Sequence, residues 1–302
     1  MRKTRRGASF GILAGHEASS RVSFHVMRKR ILLAAVLVSA AVAGVAFAYR
    51  VPLRDLLAAR AKQALPPARP YQPAAEPVSE PATTGPAPAP KPATGTPSAP
   101  APAPTPKPSP APSASEANLD VPFTPQAPHA DWDMPYQEAC EEAALIMVHA
   151  YLEGAGPFTP DEADRQILAM VDWETTRFGY YKDTDADEVV TIAKELYGYA
   201  KARAVPLASM DQVKAQVDKG IAVILPAAGR MLKNPYFTDG GPPYHMLVVK
   251  GYTKDGKIIT NEPGTRRGAD YLYDAELLWD AVHDWNGGNV PEGRKVMVIL
   301  EK

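Results

Sequence analysis

The sequence predicts an α+β domain over residues 118–302, a helical half packed on an antiparallel sheet. Three observations carry that expectation. Between residues 136 and 220 the chain shows four segments with helix start and stop signals. After Gly220 it changes to short apolar runs of strand length. Two of those runs flank Asp255-Gly256, a turn dipeptide of β-hairpins. Helices first and antiparallel strands second is the segregation of an α+β architecture.

The elements follow in order. Residues 121–123 (VPF) carry a short strand signal, and a loop with Gln126, Trp132 and Pro135 comes next. In residues 136–152 the apolar positions Ala143, Ala144, Met147, Val148 and Tyr151 recur at three-and-four spacing, one buried helix face. Gly154 and Gly156 stop that helix. Thr159-Pro160-Asp161-Glu162 is a capping box with proline at the first helical position, opening a helix to about Met170. The aromatic and acidic residues 173–187 read as a polar surface loop. Asp185 with Glu188 caps a helix ending near Gly198, and Ser209 with Gln212 another ending at Gly220. Strands are expected at 221–225, 246–253, 257–262, 271–273 and 296–300, with a helix from Asp274 to Trp285 between the last two.

The first third of the chain has a different character. Residues 1–30 are a basic segment whose true start is expected at Met27. Arg28, Lys29 and Arg30 precede residues 31–49, an apolar run without charge that ends in Ala46-Phe47-Ala48, the pattern of a signal peptide. Uncleaved, the run is just long enough to span a bilayer with its basic end cytoplasmic. Either outcome places the rest of the chain outside the cytoplasm. Residues 50–117 read as a linker that opens with a short amphipathic helix. More than half of the 32 prolines fall between Pro66 and Pro112, among alanines, so this stretch cannot build a core. It is expected to be an extended spacer reaching up to about 140 Å.

Composition excludes several classes. A net charge of −1 with interspersed signs leaves no basic face for nucleic acid. One cysteine rules out an internal disulfide framework and a multi-thiolate zinc site. No phosphate-cradling glycine loop or metal cluster is visible, so no cofactor is expected.

That cysteine, Cys140, opens the apolar helix, where free N–H groups and the helix dipole favour a thiolate. A buried packing cysteine is the alternative. An unpaired thiol in an oxidising compartment favours a reactive role. A thiol nucleophile needs a base and a group that orients the base. His245 leads a strand at the mouth of a cleft, behind the loop 237–244. His149 lies too far along the Cys140 helix, His283 sits in a late amphipathic helix, and His129 is a weaker loop candidate. Asn261 and Glu262 stand level with His245 once the hairpin folds back, and strand alternation lets only one of them face it.

These features occur in a definite order: VPF-x-x-Q, a cysteine opening an apolar helix, a histidine-led strand with VV-x-GY, and N-x-PGT-x-x-G. Together they resemble the peptidase-like domain related to the bacteriocin-processing cysteine peptidases, cysteine peptidase family 39, over roughly residues 121–300. The resemblance implies a papain-like fold, with Cys140 as nucleophile, His245 as general base, Glu262 at the position of the family's aspartate and Gln126 in the oxyanion hole. Asn261 competes with Glu262, and Gln137 with Gln126. Glycine and proline commonly follow the family cysteine, whereas Glu141 and Glu142 stand here, and like charge raises a thiol's pKa. The expected activity is an extracytoplasmic thiol peptidase acting on a peptide or protein. A peptidoglycan amidase or endopeptidase working on the cell wall, and a non-catalytic peptide-binding module, are the alternatives.

Overall fold

The computed structural model describes residues 53–73 and 115–302. The basic and apolar segments at residues 1–49, and most of the proline-rich spacer, lie outside the described residues. Among the described residues no helix is long and apolar enough to cross a membrane. Residues 53–63 form a helix, α1, within a compact unit separate from the remainder of the chain.

The second unit begins at Leu65. Residues 65–73, within the stretch read as linker, lie against the folded domain. The Arg69 N–H donates to the Asn118 carbonyl, and the Asp120 N–H donates to the Arg69 carbonyl. The Asn118 Nδ2 holds the Pro66 carbonyl at 3.0 Å, and Tyr71 packs edge-on against Tyr151.

The elements are β1 (Ala117–Asn118), α2 (Cys140–Glu153), α3 (Pro160–Phe178), α4 (Ala186–Glu195), β2 (Arg203–Pro206), α5 (Met210–Asp218), β3 (Val223–Ala227), β4 (His245–Tyr252), β5 (Lys257–Asn261), β6 (Tyr271–Asp274), α6 (Ala275–Ala281) and β7 (Val296–Ile299). One sheet holds all seven strands in the order β2-β7-β3-β4-β5-β6, with β1 alongside β4, and every pairing is antiparallel. Helices precede most of the strands, the α+β arrangement anticipated from the sequence. α2 is the central helix: twelve of its residues are buried, and it packs on β3, β4, α3 and α4. Being covered on all sides explains why its apolar residues run almost without interruption.

Local chemistry accounts for the boundaries. Gly154 ends α2 in the left-handed conformation, and the Thr159–Glu162 and Asp185–Glu188 capping boxes both form. α3 runs beyond Met170 to Phe178, because no glycine or proline interrupts it before Gly179. The loop expected at residues 173–187 therefore shrinks to residues 179–185. Residues 121–123 are not a strand. Pro122 and Pro125 lack an N–H for a ladder, and the Val121 and Pro122 carbonyls accept from the Asn261 side chain instead. The opening strand lies earlier, at β1. Strand β2 carried no clear signal, since RAVP is short and half-exposed; it caps the sheet beside β7. α6 stops at Ala281, short of Trp285, and Asp274 bonds Lys257 at 2.6 Å rather than capping it.

Candidate active site

Cys140 is the first residue of α2. A short 3-10 turn, Tyr136–Glu138, delivers the chain into this helix. As in any helix, the first-turn N–H groups have no partner within the helix, so the Cys140 N–H stands beside its own sulfur as a ready donor.

His245 is the first residue of β4, opposite Ala227 of β3. Register decides which neighbour it meets. Val248 of β4 pairs with Asn261 of β5, so these two side chains share one sheet face. His245, three residues before Val248, points to the other face, and so does Glu262, one residue past Asn261. The geometry follows: His245 Nε2 lies 2.5 Å from Glu262 Oε1. Asn261 faces away and holds the carbonyls of Val121 and Pro122 at 3.0 and 3.2 Å. Of the two candidates, Glu262 is the one beside the imidazole.

Glu262 is itself fixed. Its Oε2 accepts from the Tyr273 hydroxyl at 2.8 Å, and its Oε1 also accepts from the Gly264 N–H at 2.9 Å. The Tyr273 hydroxyl in turn accepts from Asn234 Nδ2 at 2.9 Å. Burial and the neighbouring Glu262 push the Tyr273 phenol well up, so it stays a donor. The Pro263–Gly268 turn folds tightly over the carboxylate. A Cβ on Gly268 would meet the Glu262 carbonyl oxygen at 1.7 Å, and one on Gly264 would crowd Phe237, His245 and Glu262 Oε1. Phe237 covers the imidazole edge-on, with ring centroids 5.3 Å apart. His245 and Glu262 are 1% and 0% exposed, so their hydrogen bond is shielded from water.

The sulfur approaches the head of β4, where the Met246 backbone N–H favours the thiolate form. This puts Cys140 next to the histidine-led strand. Yet Cys140 Sγ donates to Glu141 Oε2, at 2.9 Å, and among the described residues no hydrogen bond joins Cys140 to His245. Nε2 is engaged by Glu262, so Nδ1 is the other ring nitrogen. Burial pushes the Cys140 thiol well up; the charge of Glu141 and the bond to it add to this, and the Met246 N–H opposes it.

Gln126 does not offer the donor expected of it. Its Nε2 bonds the carbonyls of Tyr136 and Gln137, at 2.8 and 3.1 Å, so both amide hydrogens clamp the turn that leads into α2. Its Oε1 is buried without a protein partner. Gln137 is exposed on the same turn. The other histidines among the described residues are engaged elsewhere: His149 with Tyr199, His283 with the Gly293 carbonyl and His129 with Asp161.

Behind the cysteine lies a buried set of acids. Burial, then Glu142, pushes Glu141 well above the usual carboxylate range. Glu142 faces Glu174 of α3, and both are fully buried. Burial chiefly raises Glu174 to about 8, and Glu142 rises with it through burial and the Glu174 charge. Sequence reasoning saw Glu141 and Glu142 as one first-turn charge pair. In the structure their side chains diverge, one to the sulfur and the other to α3. Tyr273, Phe237 and Glu174 were missed, because no spacing rule links them to the cysteine. Among the described residues no group of acids, histidines and cysteine could hold a metal ion.

No curated protein matches the sequence. Among solved structures, a C39-like peptidase from Bacillus anthracis is similar at 15% identity, with 62% of this chain and 98% of that one covered and a TM-score of 0.41. A prointerpain A fragment from Prevotella intermedia, carrying a cysteine-to-alanine mutation, is similar at 16% identity over 64% of this chain and 74% of that one, with a TM-score of 0.42. The model of the Peptidase_C39 like family matches residues 118–286, more than half of the chain and the whole of the candidate site, and the chain therefore belongs to that family of cysteine-type peptidases.

Proposed function

We propose that this protein is an extracytoplasmic cysteine peptidase in which Cys140, His245 and Glu262 act together. The observation that carries the reading is the buried His245–Glu262 bond at the head of β4, the strand on which the Cys140 helix packs. Glu262 fixes the ring and supports an imidazolium, and Nδ1 takes the thiol proton as Sγ attacks an amide carbonyl. The Cys140 N–H holds the oxyanion, and a single such donor is commonly worth a hundredfold or more in turnover. The imidazolium then protonates the leaving amine, and water, deprotonated by the same ring, releases the acyl group from sulfur.

The extracytoplasmic placement rests on Arg28-Lys29-Arg30 followed by the charge-free residues 31–49. In this reading the segment anchors the protein or is removed on export, and the proline-rich spacer holds the domain away from the membrane.

The test is hydrolysis of a mixed peptide library, with products read by mass spectrometry, for the wild type, Cys140→Ala and His245→Ala. Loss of turnover in both variants supports the reading, while wild-type rates in Cys140→Ala would remove it. Clearing of purified cell wall without cleavage of free peptides would reassign the substrate. Protease accessibility of the domain on intact cells tests the placement.

A further inference from the structure

The acids beside the nucleophile explain a feature that the proposed mechanism leaves unused. In the resting geometry the thiol hydrogen points at a carboxylate and not at the imidazole. We propose that Glu141 is a positioning residue that holds Cys140 as a neutral, hydrogen-bonded thiol turned away from His245, so that the nucleophile is released only when the sulfur leaves this partner. The inference rests on the reading of Cys140 as nucleophile and concerns the state in which the protein waits.

Three observations carry it. The Sγ–Oε2 separation of 2.9 Å is short for a sulfur donor, so the contact is direct. Glu141 is 2% exposed and Cys140 5%, so water cannot replace either partner. His245 is locked from the opposite side by Glu262 and Phe237, so the ring is ready and it is the sulfur that must move.

The surroundings fix the sign. On α2, Glu141 faces Cys140 and Glu142; Asp183 approaches from the 179–185 connection, Glu174 from α3 and Tyr244 from the head of β4. Every one of these groups is neutral or negative. A thiolate formed here is disfavoured by burial first and by Glu141 second, and the Met246 N–H works in the opposite direction. In the bonded state the proton sits between sulfur and carboxylate. When a substrate draws the sulfur toward Nδ1, that proton passes to the imidazole, and Glu141 is left with its own charge unchanged.

The chain has a single cysteine, so both readouts report on Cys140 alone. The first is the rate of iodoacetamide alkylation against pH for the full chain and for Glu141→Gln. The inference predicts that the variant's midpoint falls by at least one pH unit, so that alkylation at pH 7 rises about tenfold. Superimposable profiles would overturn it. The second is the S–H stretch in infrared difference spectra of the unmodified protein. A band at pH 7, moved to lower frequency by the bond to a carboxylate and relaxed in Glu141→Ala, supports the inference; no S–H band at pH 7 means a resting thiolate and overturns it. Peptide hydrolysis measured on the same samples separates the two proposals. A shifted alkylation profile without any hydrolysis would sink the peptidase reading alone, and hydrolysis with unshifted alkylation would sink only the role of Glu141.

Discussion

Replacing Glu174 by glutamine should stabilise the domain at alkaline pH, and the size of the gain follows from the structure. Glu174 and Glu142 face each other between α3 and α2, both without solvent exposure and with no hydrogen-bond partner for their carboxyl oxygens among the described residues. Burial raises Glu174 from an ordinary 4.5 to about 8. The folded chain then keeps a proton that the unfolded chain has released across that interval. The stability Glu174 contributes is fully present below pH 4.5 and is lost as pH rises through 8. Each pH unit removes about 1.4 kcal/mol, so the interval as a whole removes on the order of 4–5 kcal/mol. Glutamine cannot ionise, so it carries no such pH-dependent loss. The variant should therefore match the wild type within about 1 kcal/mol at pH 5 and exceed it by several kcal/mol at pH 8.5, roughly a 10 °C rise in Tm for a domain of this size. Urea unfolding of both proteins from pH 5 to pH 9 measures the difference directly. Parallel stability curves across this range would refute the assignment of a retained proton to the pair.

Further expectations concern the histidine and its supports. Glu262→Gln should lower kcat/KM by roughly 10²–10⁴-fold, since an amide cannot support an imidazolium; steady-state kinetics check this. Asn261→Ala, one residue away, should leave kcat within about threefold and lower Tm instead, because it frees the carbonyls of Val121 and Pro122. Tyr273→Phe leaves Glu262 Oε2 without its donor and Asn234 without its acceptor. It should cost about 1–3 kcal/mol in thermal unfolding and shift the pH–rate profile. Gly268→Ala drives a Cβ into the Glu262 carbonyl at 1.7 Å; the turn must shift, and turnover should fall at least tenfold while circular dichroism stays native.

What the sequence revealed was what local rules govern. Two capping boxes, the glycine after α2 and the Asp255-Gly256 hairpin each depend on a few adjacent residues, and each appears where the sequence put it. Alternation along β4 and β5 was also readable in principle: it allowed only one of Asn261 and Glu262 to face His245, and the choice needed only the register Val248 with Asn261. What stayed hidden depends on distant partners. The strand expected at residues 121–123 gave way because an asparagine some 140 positions later takes up its carbonyls. Gln126 carries a motif match, yet its amide hydrogens go to the turn before Cys140, a contact no spacing rule foretells. The segment around Arg69 has a linker's composition, and it is backbone pairing with residues 118–120 together with Tyr71 on Tyr151 that draws it onto the domain. The fate of Glu141 and Glu142 turned on side-chain direction at the start of one helix, which charge counting does not resolve.

The account stands on an acyl group passing through one sulfur atom. Acid quench of the protein during turnover on a peptide substrate, followed by mass spectrometry of its fragments, detects that intermediate. The fragment that contains Cys140 should carry the acyl mass, should lose it in Cys140→Ala, and should acquire it far more slowly in His245→Ala. Turnover that continues undiminished in Cys140→Ala, with no mass gained by the Cys140 fragment of the wild type, would contradict the account.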